Sequence, residues 1–278
     1  MSTRTITLPE TPDSSHSPST SRPPSRSLPR DTWIVLTREL RPTLHDPFSV
    51  IFSLVQPLFF LALFGPLLAG NLGGGLPGGD VWQWFVPAIL VMISLFGSST
   101  VGSNLLFEMQ TGAHERMLVT PLARSSLLLG RALKEIVTLV AQAAVIVLVM
   151  LPFGFTLHPV GAVLGLALLA VLGVGISSLS YALAIAVRKQ DWMFWVVQQT
   201  FLFPLMILSG MLLPLDGGPG WMQALARANP LTYVVDAERA LFSGQVLSTE
   251  VGAGFAAALV TAAVGLAVGI RSMRGSAG

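Results

Sequence analysis

The sequence predicts an all-α integral membrane protein: six transmembrane helices, an N-terminal interfacial helix, a charged inner loop and a short helical hairpin before the last span. Three observations carry this. Hydrophobic residues make up 52% of the chain and charged residues 11%, whereas a soluble domain carries about a quarter of its residues as Asp, Glu, Lys or Arg. Six stretches, about 48–70, 84–107, 134–156, 160–187, 192–214 and 251–271, are apolar over the length a helix needs to cross the bilayer. That length is about 20 residues, set by a hydrocarbon layer of about 30 Å and a rise of about 1.5 Å per residue. Fourteen of the sixteen Lys and Arg residues fall on one side of this six-span arrangement, which the positive-inside rule makes the cytoplasmic side. Both termini are expected there, and only Arg227 and Arg239 lie on the other side.

Residues 1–30 are rich in Ser, Pro, Thr and Arg. They lack the apolar stretch of a cleavable signal peptide, and their composition cannot support a packed core. The expectation is a disordered cytoplasmic tail, with the membrane domain occupying 31–278. At its start Trp33, Leu36, Leu40 and Leu44 recur at helical spacing, while Arg38 and Arg41 face elsewhere. That pattern suits a helix lying in the inner interface, its regular part ending near Arg41 because Pro42 removes a helix bond. A plain tether and a force-transmitting helix fit this spacing equally well.

The inner loop between the second and third spans reads EMQTGAHERMLVTPLARSSLLLGRALKE, beginning at Glu108. Thr111 can cap a short helix through Glu115, Arg116, Met117 and Leu118. Pro121 then breaks the run, and Ser125 can open a second helix that continues through Gly130 and Arg131 into the third span. Helix, break, helix makes a projection on which a partner could dock. Charge on an inner loop is also what the positive-inside rule places in any multi-span protein, so spacing alone leaves docking and simple solvation open.

None of the six span interiors contains Asp, Glu, Lys, Arg or His; Glu108, Lys134 and Glu135 sit at edges. An ionised group at the bilayer centre costs at least about 2.5–3.5 kcal/mol and is rarely kept without a function. Its absence disfavours ion-coupled transport and an intramembrane hydrolase alike. There is no cysteine, hence no disulfide and no Cys metal site, and the four histidines form no ligand pair. Neither lysine follows a glycine, so no phosphate-binding Walker loop is present. A transporter built this way takes its energy from a partner chain.

Uncharged polar residues inside spans mark a possible pathway, because lipid offers them no hydrogen bonds. These are Gln56, Asn104, Gln142, Gln198, Gln199 and Thr200, with Phe201 and Phe203 beside the glutamines. Each can equally serve as glue between helices. The pairs Gly161/Gly165 and Gly265/Gly269 indicate close helix packing without specifying a dimer face. Ahead of the last span, Asn229 is a good N-cap and Pro230 suits the first helical position. Leu231, Val234, Val235, Ala237 and Leu241 then form an apolar stripe that Gly244 ends. Together with the stripe of Trp221, Leu225 and Ala228 this predicts two short helices folding back into the outer leaflet, with Tyr233 and Arg239 on the second.

The segment GAHERMLVTPLARSSLLLGRALKE resembles the signature of type-2 ABC exporter permeases, in particular the daunorubicin-resistance permease-like branch. Gly112, Arg116, Leu118, Thr120, Pro121, Arg124, Gly130 and Arg131 stand where that signature has its glycine, basic residue, leucine, Thr-Pro pair, arginine and Gly-Arg. The stretches LTRELRPTLHDPFSVIFSLVQPLFFLALFG and LARANPLTYVVDAERALFSG resemble the family's entry into its first span and its approach to the last. The resemblance implies that residues 108–134 couple to a separate ATP-binding subunit, which supplies ATP and Mg, and that this chain needs no cofactor and hydrolyses nothing. It also implies a unit of two permeases and two ATPases in a bacterial cell membrane, with Trp33, Arg38 and Arg41 on the connecting helix. Cargo is open among an amphipathic drug, a lipid and a glycoconjugate. The alternatives are an ATP-independent carrier or channel and a membrane-embedded lipid-modifying enzyme.

Overall fold

The computed structural model describes residues 33–37, 40–41, 47–72, 80–111, 124–188, 190–215 and 217–275. Among the described residues, after the helical residues 33–37, the α-helices follow one another as α1 (Pro47–Leu72), α2 (Val81–Ser99), α3 (Val101–Gln110), α4 (Arg124–Met150), α5 (Pro159–Ala186), α6 (Asp191–Leu208), α7 (Gly220–Ala228), α8 (Pro230–Phe242) and α9 (Thr249–Gly275). No strand occurs among the described residues. Six spans are long and apolar enough to cross a membrane, with α2 and α3 forming one of them. The six-span expectation therefore holds, and α7 and α8 are the two short helices foreseen before the last span.

The ends of two spans differ from the sequence reading. The third was expected to reach 156, but α4 stops at Met150 and a 3-10 turn, Leu151–Phe153, follows. Pro152 cannot donate the next helical bond. The fifth was expected to reach 214, but α6 stops at Leu208. Gly210 has φ +71°, a left-handed conformation that ends a helix and costs glycine nothing. The hydrophobicity of 209–215 persists beyond the helix that the backbone permits.

In an apolar 18-residue window of the span Val81–Gln110, 83% of the residues are buried, against 22–33% in the corresponding windows of the other five spans, so it is the central helix of the bundle. Phe85, Ile89 and Leu90 on α2 meet Leu168 and Leu172 on α5 and Leu231 and Val234 on α8 in one apolar core. The closest pairing is α5 with α9. A Cβ on Gly265 would lie 2.3 Å from the Gly175 carbonyl oxygen, and one on Gly175 would lie 2.8 Å from the Ala262 nitrogen. The second glycine pair takes a different partner. A Cβ on Gly161 would fall 1.8 Å from the Leu241 oxygen, and one on Gly165 2.5 Å from a Glu238 carboxyl oxygen. Of the two pairs singled out in the sequence, Gly265/Gly269 thus seats the last span on α5, a Cβ on Gly269 lying 3.3 Å from the Ser178 carbonyl oxygen, and Gly161/Gly165 seats α8.

Residues 33–37 are helical, as expected. Trp33 is exposed whereas Val35 and Leu36 are buried, and the Thr37 hydroxyl donates to the Trp33 carbonyl at 3.0 Å. Arg41 is exposed. Arg38 and Leu44 lie outside the described residues.

Candidate functional site

The site begins at a break in the central helix. Gly97, Ser98, Ser99 and Thr100 end α2, and three hydroxyls turn back onto the chain: Ser99 to the Phe96 carbonyl (2.7 Å), Thr100 to Gly97 (2.8 Å) and Ser103 to Thr100 (2.8 Å). Such local bonds compete with the helical ladder and bend it. Backbone groups freed inside a membrane need partners, and α5 supplies one. The Ser180 hydroxyl donates to the Ser99 carbonyl and accepts the Gly102 N–H at 3.0 Å. From α6, the Gln198 amide donates to the Ser99 hydroxyl at 3.0 Å. Gly102 is required here, since a Cβ would stand 2.3 Å from the Ser180 carbonyl oxygen.

Beside the break lies a cavity of about 580 Å³, bounded by α1, α2, α3, α4 and α5. Ser53, Gln56, Ser98, Thr100, Asn104, Thr138, Gln142 and Ser177 give it polar walls, and Met92, Ile93, Phe96, Leu139 and Leu169 give it apolar ones. Lys134 and Glu135, 3.6 Å apart, stand at the end toward the start of α4. Toward the opposite end the cavity stops at Met92, Ile93 and Leu169, where the apolar core begins. Gln142 is buried and donates to the Ser53 hydroxyl at 2.8 Å.

At the far end α8 packs against α2, α5 and α9, and the hairpin of α7 and α8 also completes the terminus of α6. Ser209 N–H bonds Met206 in place of Leu205, leaving the Leu205 carbonyl to accept from the Asn229 amide at 2.7 Å. The other atom of the same side chain, Asn229 Oδ1, caps α8 by accepting the Leu231 N–H at 3.0 Å. Thr232 donates to the Ala226 carbonyl at 2.8 Å, and Tyr233 to Arg227 at 2.7 Å. Pro230 occupies the first turn of α8. Arg239 then clamps the hairpin to two spans. Its Nε donates to the Trp84 carbonyl (3.1 Å), its Nη2 to the Gly210 carbonyl (3.0 Å), and the guanidinium lies 3.7 Å over the Trp84 ring. Burial pulls Arg239 down to about 10, with Asp236 opposing the shift, so it stays charged at neutral pH.

Glu238, next to this clamp, was not singled out by sequence reasoning. It is wholly buried against Gly165, and neither carboxyl oxygen has a hydrogen-bond partner among the described residues. Burial raises its pKa to about 8. A signal was present: positions 231, 234, 235, 238, 241 and 242 form one helical stripe, and the acid interrupts its apolar residues.

The structure divides the polar residues proposed for a pathway. Gln56 and Asn104 share the cavity. Gln198 is buried at the helix break, with its Oε1 unpartnered among the described residues, and Gln199, Phe201 and Phe203 are on exposed surface of α6, Phe203 edge-on to Phe96 at 6.3 Å. Of the residues read as the docking loop, Gly112, Glu115, Arg116, Met117, Leu118 and Pro121 lie outside the described residues. Glu108 is half-buried on α3, and Arg124, Gly130 and Arg131 are in α4.

Among the described residues six helical spans are long and apolar enough to cross a membrane, and four of them bound a cavity with polar and apolar walls, the architecture of a multi-pass membrane protein. Residues 30–243 match the ABC-2 type transporter family, and the chain belongs to that family. It is 32% identical to the transport permease ycf38 of Cyanophora paradoxa, over 77% of this chain and 74% of the relative. It is 26% identical to the daunorubicin resistance ABC transporter permease protein DrrB1 of Streptomyces coeruleorubidus, over 83% and 81%. A Mycobacterium tuberculosis relative named for doxorubicin resistance, the ABC transporter permease protein DrrC, is 28% identical over 89% and 90%. The chain is accordingly the transmembrane subunit of an ABC exporter.

Proposed function

We propose that this permease carries an amphipathic molecule, a drug, lipid or glycoconjugate, out across a bacterial cell membrane, driven by ATP and Mg bound in a separate ATP-binding chain. Drug resistance, the property for which two relatives are named, enters as one form of that activity. The observation that carries the reading is the continuity of α4. One helix runs from Arg124, in the segment that resembles the family's docking signature, to Gln142 in the cavity wall. Displacement of its first turns by a partner is transmitted along a rigid rod to the cavity. The working unit is two permeases with two ATPases, and both termini are cytoplasmic. Residues 33–41 brace the docking side as the connecting helix.

The docking surface is read as an apolar knob, Met117 and Leu118, flanked by Glu115 and Arg116. Charges at such a rim set orientation more than affinity, while the buried apolar contact holds the partner. Arg116→Glu is expected to leave the ATP-binding chain attached but uncouple hydrolysis from export. Met117→Asp is expected to release that chain, because it forces a charge into the contact. Co-purification and transport into inverted vesicles, at matched expression, distinguish the two. Native attachment and native export in both variants would make the segment a solvated linker.

A further inference from the structure

We propose that the cavity beside the helix break is where cargo loads, and that it takes an uncharged amphipath whose head carries hydroxyl and carbonyl groups, in preference to a cationic one. This rests on the exporter reading above. The walls supply hydrogen-bonding capacity that the fold does not use. Ser98 is buried, and its hydroxyl makes no hydrogen bond among the described residues. Gln56, Asn104 and Ser177 also line the cavity without a hydrogen bond among them. Each amide offers two donors and an acceptor with two lone pairs, and each hydroxyl offers both roles. That is the complement of a polyhydroxylated or carbonyl-bearing head.

Charge is lacking where a charged head would sit. Among the described residues the ionisable side chains lining the cavity are Lys134 and Glu135, and they are paired with each other at one end. No carboxylate among the described residues accompanies Met92, Ile93 or Leu169 at the inner end. A cation carried that far would lose water and find no counter-ion, which membrane interiors penalise heavily. A neutral head exchanges its water bonds for those of Gln56 and Asn104, and its tail lies against the apolar wall. About 580 Å³ falls in the range of pockets that hold drug-sized molecules. It fits a head and part of a chain, not a folded peptide.

The test uses two photoreactive alkyl probes of equal chain length, one ending in a glucoside and the other in a trimethylammonium group. Each is incubated with the purified full-length chain in nanodiscs of zwitterionic phosphatidylcholine, and crosslinks are mapped by mass spectrometry. The glucoside is expected to label the cavity segments of α1, α3 and α4 about tenfold more than the ammonium probe. Replacing both amides, Gln56→Leu with Asn104→Leu, should lower glucoside labelling by about tenfold, as expected for two lost hydrogen-bonding partners. Asn104→Asp, at an exposed position, should raise ammonium labelling by supplying the missing counter-ion. Equal labelling by the two heads would overturn the proposal, as would glucoside labelling that survives in a folded double variant. The labelling needs neither ATP nor the ATP-binding chain. Failure of ATP-driven export in vesicles would therefore count against the exporter reading and leave the site standing.

Discussion

Glu238 and Arg239 are neighbours that solve opposite problems. Arg239 reaches two backbone carbonyls and an aromatic face, so its charge is compensated where it sits. Glu238 has no such partner among the described residues; Arg239 is directed to Trp84 and Gly210, and the His158 ring bonds the Phe242 carbonyl at 2.9 Å. Its carboxyl is raised to about 8 from an ordinary 4.5 by burial. Between those values the undocked hairpin is ionised while the docked one is protonated. Docking is thus strongest at acidic pH and weakens as pH rises from about 4.5 through about 8, by at most about 1.4 kcal/mol per pH unit. The purified chain should melt at a lower temperature at pH 8.5 than at pH 6. Glu238→Gln, which cannot ionise, should remove most of that difference. An equal drop in both proteins would show that another group titrates.

At the scale of elements, the break between α2 and α3 is held from outside. Ser180 satisfies two backbone groups of the broken helix, whereas Gln198 satisfies only the Ser99 hydroxyl. Ser180→Ala leaves a buried carbonyl and a buried N–H without their partner and should cost about 1–3 kcal/mol for each. Gln198→Leu removes one bond together with an unpartnered amide oxygen, and its cost should be the smaller of the two. Thermal melting of the two single variants in one detergent orders them. A more harmful Gln198→Leu would place the support of the break on α6 instead of α5. If Gln198 and Gln199 also contribute to the pathway, replacing both with Leu changes transport while insertion is kept.

For the molecule as a whole, the asymmetry between a cavity at one end and a packed hairpin at the other gives orientation a functional meaning. The distribution of Lys and Arg predicts that the hairpin end faces outward. Single cysteines at Ser2, Ser125, Gly218 and Ser276 in this cysteine-free chain can be challenged with an impermeant thiol reagent on intact cells. Gly218 should label and the other three should not until the cells are lysed. Labelling at Ser2 or Ser276 before lysis would invert the arrangement, and with it the direction in which the cavity opens.

The sequence by itself determined the six spans, the charge bias, the lack of a Walker motif and the Asn229-Pro230 start of α8. These are properties of short windows: mean hydropathy, a cap, a missing motif. It also showed that glycine pairs pack closely, but not that Gly161 and Gly165 receive α8 while Gly175 and Gly265 seat α9 on α5. Only the tertiary structure decided that, along with the cavity, the separation of Gln56 and Asn104 from Gln199, the burial of Glu238 and the grip of Arg239. The physical reason lies in the solvent. In water, an apolar stripe marks the inward face of a helix. In a bilayer the lipid is as apolar as the core, so inward and outward faces carry the same residues, and which face is inside is settled only when the helices meet.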